Sequence, residues 1–136
     1  MIKNVLFDLD GTLLPMDMDE FTNGYFKFLV KKAMECSDRY EPDGLIKAVW
    51  GGVKAMVMNK GKMTNEDAFW EFFASVYGKE AVNDKYIFDE FYAKDFICAK
   101  DFTGFTSEAK TTVDACKNAG LKVVLGEDLV IDNLLF

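Results

Sequence analysis

Two carboxylates two residues apart, Asp8 and Asp10, followed at once by Gly11 and Thr12, are the residues of this chain best suited by type and spacing to do chemistry. They follow an apolar run, Val5-Leu6-Phe7, that reads as a strand. With a side-chain period of two, both carboxylates can face one site. Placed that close they repel each other unless a cation or a proton is shared. A Mg²⁺ ion would relieve the repulsion, because it takes oxygen ligands and is usually held by one or two carboxylates plus a phosphate. Gly11 permits a tight turn and a close backbone approach, and Thr12 adds a hydroxyl. The chemistry that fits is phosphoryl transfer, in which one Asp attacks phosphorus and the other handles the leaving-group proton. A lone Asp-x-Asp would read as a solvated acidic turn. Asp-x-Asp-Gly-Thr at the end of an apolar strand reads as a site.

The rest of the composition narrows the choice. The chain has no histidine, which removes Ser-His-Asp and Cys-His catalysis and His-ligated zinc. Acid/base work therefore falls to carboxylates, Lys, Tyr or Cys. Cys36, Cys98 and Cys116 are far apart and odd in number. They suit neither a metal spacing nor a disulfide framework, and are expected to be reduced thiols of a cytoplasmic protein. With 16 Lys+Arg against 23 Asp+Glu, the net charge of −7 argues against a nucleic-acid partner. Acids inside the first apolar stretch argue against a signal peptide, and no apolar run reaches membrane-spanning length, so no membrane partner is expected.

The elements that must position Asp8 and Asp10 follow from periodicity. At 136 residues, half of them hydrophobic, the chain is sized for one core. Ile2 to Leu9 and Leu121 to Leu125 read as short buried strands. Between them the pattern is helical. A first helix follows Asp17, and a second starts at Pro42 with Leu45, Val49, Val53, Met56 and Val57 on its apolar side. Gly51-Gly52 weakens the middle of that second helix. Thr64 caps a third that buries Phe69, Trp70, Phe73 and Val76 and ends at Gly78. A fourth, from Glu80 to Lys94, would bury Val82, Tyr86, Phe88 and Phe91 or Tyr92. Ser107 caps a fifth that Gly120 closes. Asp17, Asp19 and Glu20 could form a hinge or rim but read more simply as a charged helix start; Phe69, Trp70, Phe72 and Phe73 could line a substrate pocket but read more simply as core. Tyr25, Trp50 and Lys54 are left open as residues that could face a substrate. The order predicts an α/β chain whose two strands are parallel neighbours in one sheet, with the helices inserted between them. Such sheets usually have about five strands or more.

The segment Asp8-Leu9-Asp10-Gly11-Thr12-Leu13-Leu14 resembles the first motif of the haloacid dehalogenase superfamily of hydrolases. The organisation is similar as well, since members with a helical cap insert it between the first strand and the helix that precedes the second. The resemblance implies a partial Rossmann-like parallel core from 1–16 and 101–136, with a mainly α-helical cap, 17–100, inserted in it. It implies Asp8 as the nucleophile that forms an aspartyl-phosphate and binds Mg²⁺. Asp10 would be the general acid/base, with its backbone carbonyl on the metal, and Thr12 would shape the loop on the substrate side. An Asp at the second position is similar to the phosphatase branch, and the implied substrate is a small phosphorylated metabolite.

The later motifs of the family depart from this pattern. Its second motif is a Ser or Thr at the end of the second strand, whereas Gly126-Glu127-Asp128 follows Leu125 here. A carboxylate at Glu127 would repel phosphate. Its third motif is a Lys, and nothing after Lys122 supplies one. Its fourth is an acidic pair on the metal, echoed by Asp128 and Asp132, whose plainer reading is an acidic loop or a short amphipathic tail. The chain is thus expected to stop short of the later core strands and to turn over slowly. Two other readings follow: a non-catalytic relative whose helices act as a binding or oligomerising module, and a homo-oligomer in which a second copy covers the open sheet edge.

Overall fold

The computed structural model describes residues 2–126. Strand β1 is Asn4–Phe7. Helices α1 (Met18–Cys36), α2 (Pro42–Val57) and α3 (Asn65–Tyr77) follow. A 3₁₀ turn over Lys79–Asp84 leads into α4 (Lys85–Glu90), which runs on through a π-helical turn, Phe91–Asp95, and a second 3₁₀ stretch, Phe96–Phe102. Helix α5 (Ser107–Asn118) and strand β2 (Lys122–Leu125) complete it. The result is a mixed α/β fold, mostly helical, with one small sheet. None of the helices among the described residues is long and apolar enough to cross a membrane.

β1 and β2 pair in parallel as predicted, from Asn4 opposite Lys122 to Phe7 opposite Leu125. Parallel neighbours need a long crossover, and everything between them supplies it. The strands differ from expectation in two ways. They are shorter than Ile2 to Leu9 and Leu121 to Leu125, and they are not buried: Leu6 is 70% exposed, and Leu125 and Val124 are exposed as well. The reason lies in what covers them. Helix α5 packs on β2, and among the described residues the sheet has only these two strands. An apolar run reads as a strand buried on both faces, but here Val5 and Phe7 are half-covered while Leu6, between them, points to the opposite face.

The core belongs to the helices. Leu29 and Ala33 of α1, Leu45 and Val49 of α2, Phe73 of α3, Ile87 of α4 and Phe91 just beyond it form one buried cluster. Thr64 caps α3 as predicted, and Asp17, expected only as part of a charged helix start, caps α1. Asp17 accepts the backbone N–H groups of Asp19 and Glu20 at 2.9 and 3.0 Å, and Thr64 accepts that of Asp67 at 3.0 Å. The cap of α5 is Thr106 rather than Ser107, its hydroxyl accepting from the backbone of Glu108. Gly78 ends α3 at φ 88°.

The expected fourth helix, Glu80 to Lys94, is instead a relay of 3₁₀, α and π turns. Phe88 and Phe91 are buried as expected, but Val82 and Tyr86 face solvent and Ala81 and Ile87 are buried in their stead. A 3₁₀ start winds about three residues per turn instead of about 3.6, so a face counted at the α period lands on the wrong side. Val57 and Val76, near the ends of α2 and α3, are exposed too.

Gly51 and Gly52 do not break α2. They are where α3 comes closest: a Cβ on Gly52 would lie 2.4 Å from the Phe69 ring, and one on Gly51 would lie 2.1 Å from that of Phe72. Gly52→Ala sets two effects against each other. The helix gains up to about 1 kcal/mol in propensity, but overpacking against a ring held by Trp70, Phe73 and Phe88 costs about 1–3 kcal/mol. A net loss of about 1 kcal/mol in urea unfolding is expected. A gain would mean that Phe69 swings aside freely.

The chain enters and leaves the helical stretch at one place. Met16 bridges antiparallel to Thr103, and the Gly104 N–H donates to the Pro15 carbonyl at 2.5 Å. The two crossings are therefore stitched side by side, between β1 on one side and α5 on the other.

Candidate functional site

The register of the strands decides where Asp8 sits. Phe7 is opposite Leu125, and Gly126 donates its N–H to the Phe7 carbonyl at 2.8 Å. Asp8 therefore leaves the sheet at the carboxyl ends of both strands, where open α/β sheets collect their ligands. The loop after it is tightly closed. Thr12 and Leu14 both donate backbone N–H groups to the Leu9 carbonyl, at 3.1 and 2.8 Å, and Gly11 donates to the Leu14 carbonyl at 2.9 Å. Gly11 makes the turn possible at φ 72°, a left-handed conformation that other residues adopt only with strain.

Within this loop the Thr12 hydroxyl donates to Asp8 Oδ2 at 2.8 Å. The contact fixes the orientation of the Asp8 side chain. A carboxylate can accept about four hydrogen bonds, so Asp8 keeps acceptor capacity for an incoming group. Asp10 is half-buried two residues on, in a bridge with Leu14. The structure thus brings Asp8, Asp10 and Thr12 into one closed loop. Asp8 and Thr12 are exposed, so the charge there works against the full dielectric of water.

The oxygen donors of Asp8 and Asp10 suit Mg²⁺, which commonly keeps several waters and binds through one or two carboxylates. Among the described residues no group of three or more acidic or thiol side chains converges as a metal cage. Glu127, Asp128 and Asp132 lie outside the described residues.

The open candidates resolve differently. Asp17 is an N-cap, and Asp19 and Glu20 sit exposed in the first turn of α1. Trp50 is half exposed with its ring against Phe26, 5.6 Å between centroids, and Lys54 is exposed. Phe73 is core, and Phe72 presses on Gly51. Tyr25 is buried, its hydroxyl 2.7 Å from that of Tyr92. Burial pushes both phenols up, Tyr92 to about 12, so both stay neutral at physiological pH.

A second concavity, a half-open cavity of about 350 Å³, lies among α1, α2, α3 and α4, and three residues that the sequence offered as possible substrate contacts, Tyr25, Phe69 and Trp70, line it. At its edge Lys85 pairs with Glu66, and that hydrogen bond holds the Lys85 ammonium above its ordinary pKa. Lys85 and Asp89 stand one helical turn apart on α4 and Glu66 in the first turn of α3. In sequence they look like ordinary solvated charges, so nothing short of the helix packing points to them. Among known proteins, the chain matches no protein-family model, no curated protein and no solved structure.

Proposed function

We propose that the Asp8 loop hydrolyses a small phosphomonoester through an aspartyl-phosphate. The observation that carries this is the closed loop at the carboxyl end of the parallel strand pair, with the Thr12 hydroxyl on Asp8 and Asp10 two residues away. A carboxylate oxygen of Asp8 attacks phosphorus, forming an O–P bond as the ester O–P bond breaks. Asp10, protonated, gives its proton to the departing alkoxide, and as carboxylate then takes a proton from the water that attacks the same phosphorus. That second displacement releases inorganic phosphate and restores Asp8. Mg²⁺ held by Asp8 and Asp10 would neutralise the charge between carboxylate and phosphate. The resemblance of Asp8 to Leu14 to the haloacid dehalogenase first motif supports the same roles, and on this reading the helices inserted between the strands would act as a cap that sets specificity.

The test is steady-state hydrolysis of p-nitrophenyl phosphate with excess Mg²⁺ and with a chelator. A slow rate that needs Mg²⁺ is expected, because an exposed loop with few preorganised donors stabilises little transition-state charge. A rate no greater than buffer alone would overturn the proposal. One observation favours a second reading. Every well-buried apolar side chain among the described residues lies between Phe21 and Ala99, so the helices could serve as a binding module without catalysis. Absence of turnover together with a self-associated species in solution would favour that reading.

A further inference from the structure

The cavity among the helices has its own chemistry, independent of the Asp8 loop. It draws on α1 to α4 and on Tyr92 just beyond α4, and no residue of β1, β2 or the loop between Asp8 and Met16 lines it. Its inner wall is apolar: Val49, Met56 and Phe88 are buried. Phe69, Trp70 and Tyr92, each half-buried, make its sides. Trp70 stands edge-on to both Phe69 and Phe88, 5.3 and 5.2 Å between centroids. Tyr25 and Tyr92 join their hydroxyls to each other, so the inner polar atoms are neutral. All the formal charge is at the mouth.

That charge is lopsided. Glu66 and Asp89 are exposed on the rim, and Lys85 is the one cation among the lining residues. The Lys85 ammonium is hydrogen-bonded to Glu66, and the fields of Asp89 and Asp67 stabilise it further. Three carboxylates therefore favour one ammonium at this spot. A flat apolar body fits the aromatic walls, and a positive group leaving it at the mouth meets the exposed Glu66 and Asp89 carboxylates, which favours cations over anions. The net charge of −7 adds to the preference.

We propose that this cavity binds a small organic ammonium compound with an aromatic body, ring inward and ammonium at Glu66 and Asp89. Lys85 occupies the position that the ligand's cation takes, and has to share it or move away on binding. A phosphate-bearing molecule is disfavoured at this mouth for the same reason. The site is thus separate from the phosphomonoester chemistry proposed for Asp8.

The probe is phenethylamine, compared with 3-phenylpropanoate, its anionic counterpart, by NMR titration of the full chain. The indole N–H of Trp70, identified by the loss of the other signal in Trp50→Phe, and the methyl groups of Val49 and Met56 report the cavity. Trp50 does not line it and serves as the control. Phenethylamine is expected to give saturable shifts at Trp70, Val49 and Met56 but not at Trp50, and to bind at least about tenfold more tightly than the propanoate. Asp89→Asn should weaken the amine about threefold to tenfold, as loss of one charge-assisted contact at an exposed rim does. Lys85→Met should tighten it, because the internal competitor is gone while Glu66 remains. Both variants change rim residues and spare the core. No saturable shift at about 10 mM amine, where even millimolar affinity would show, would overturn the proposal. So would equal binding of the anion, or weaker amine binding in Lys85→Met.

Discussion

Asp8→Asn is expected to lower phosphomonoester hydrolysis by at least about a thousandfold while leaving the fold unchanged. The amide has the shape of the carboxylate, and its oxygen can still accept from Thr12 as Oδ2 does now at 2.8 Å. It has no negative charge and no nucleophilic oxygen, so the O–P bond to the protein cannot form. Asp8 is exposed and lies outside the buried cluster, so its thermal unfolding should match that of the parent. Asp10→Asn separates the two roles. p-Nitrophenolate is a good leaving group and needs little help from an acid, so phosphorylation of Asp8 should persist in this variant. The later attack of water then lacks its base. Rapid mixing should show a burst of nitrophenol near one equivalent in Asp10→Asn and none in Asp8→Asn. Full turnover by Asp8→Asn would remove the nucleophile from the proposal, and equal behaviour of the two variants would remove the division of labour.

What could be read from the sequence was what is decided locally. The Asp8 to Leu14 loop closes through bonds between residues no more than five apart, with Gly11 at the one position that needs φ 72°. Pro42, Thr64 and Gly78 mark helix ends by their own backbone chemistry, and they lie where their types require. Features that depend on distant partners were misread. Leu6 and Leu125 have the apolar character of a buried strand, but burial depends on what covers the sheet, which periodicity does not contain. Gly51 and Gly52 looked like a weakness in α2 because the Phe69 and Phe72 rings that need the space come about twenty residues later. Val82 and Tyr86 fit an α-helical face, but Val82 lies within the 3₁₀ turn and Tyr86 just after it, and both are turned to solvent. Of the cavity, Tyr25, Phe69 and Trp70 were legible as possible lining, but Val49, Glu66, Lys85 and Asp89 join them only when four helices pack.

Where the stability resides is the second large effect. Phe73→Ala should cost about 3–5 kcal/mol in urea or thermal unfolding, the range for removing a large side chain from a core that cannot collapse around the hole. Phe73 has no solvent exposure. Its ring stacks on Phe69 at 5.7 Å and meets Trp70, Tyr77 and Phe88 at 5.3, 5.2 and 5.5 Å, with Tyr40 at 6.0 Å. Five rings from three parts of the chain lose a common neighbour at once. Since a domain is stable by only about 5–15 kcal/mol, this single change would consume a large fraction. Because Phe69, Trp70 and Phe88 also wall the cavity, amine binding should weaken in any Phe73→Ala protein that stays folded. Leu6→Ala is the matched comparison on the sheet. Leu6 is 70% exposed, so its truncation should cost no more than about 0.5 kcal/mol. A loss at Leu6 as large as that at Phe73 would mean that the open face of the strand pair is covered in solution. Its dependence on protein concentration would then show whether a second copy of the chain provides the cover.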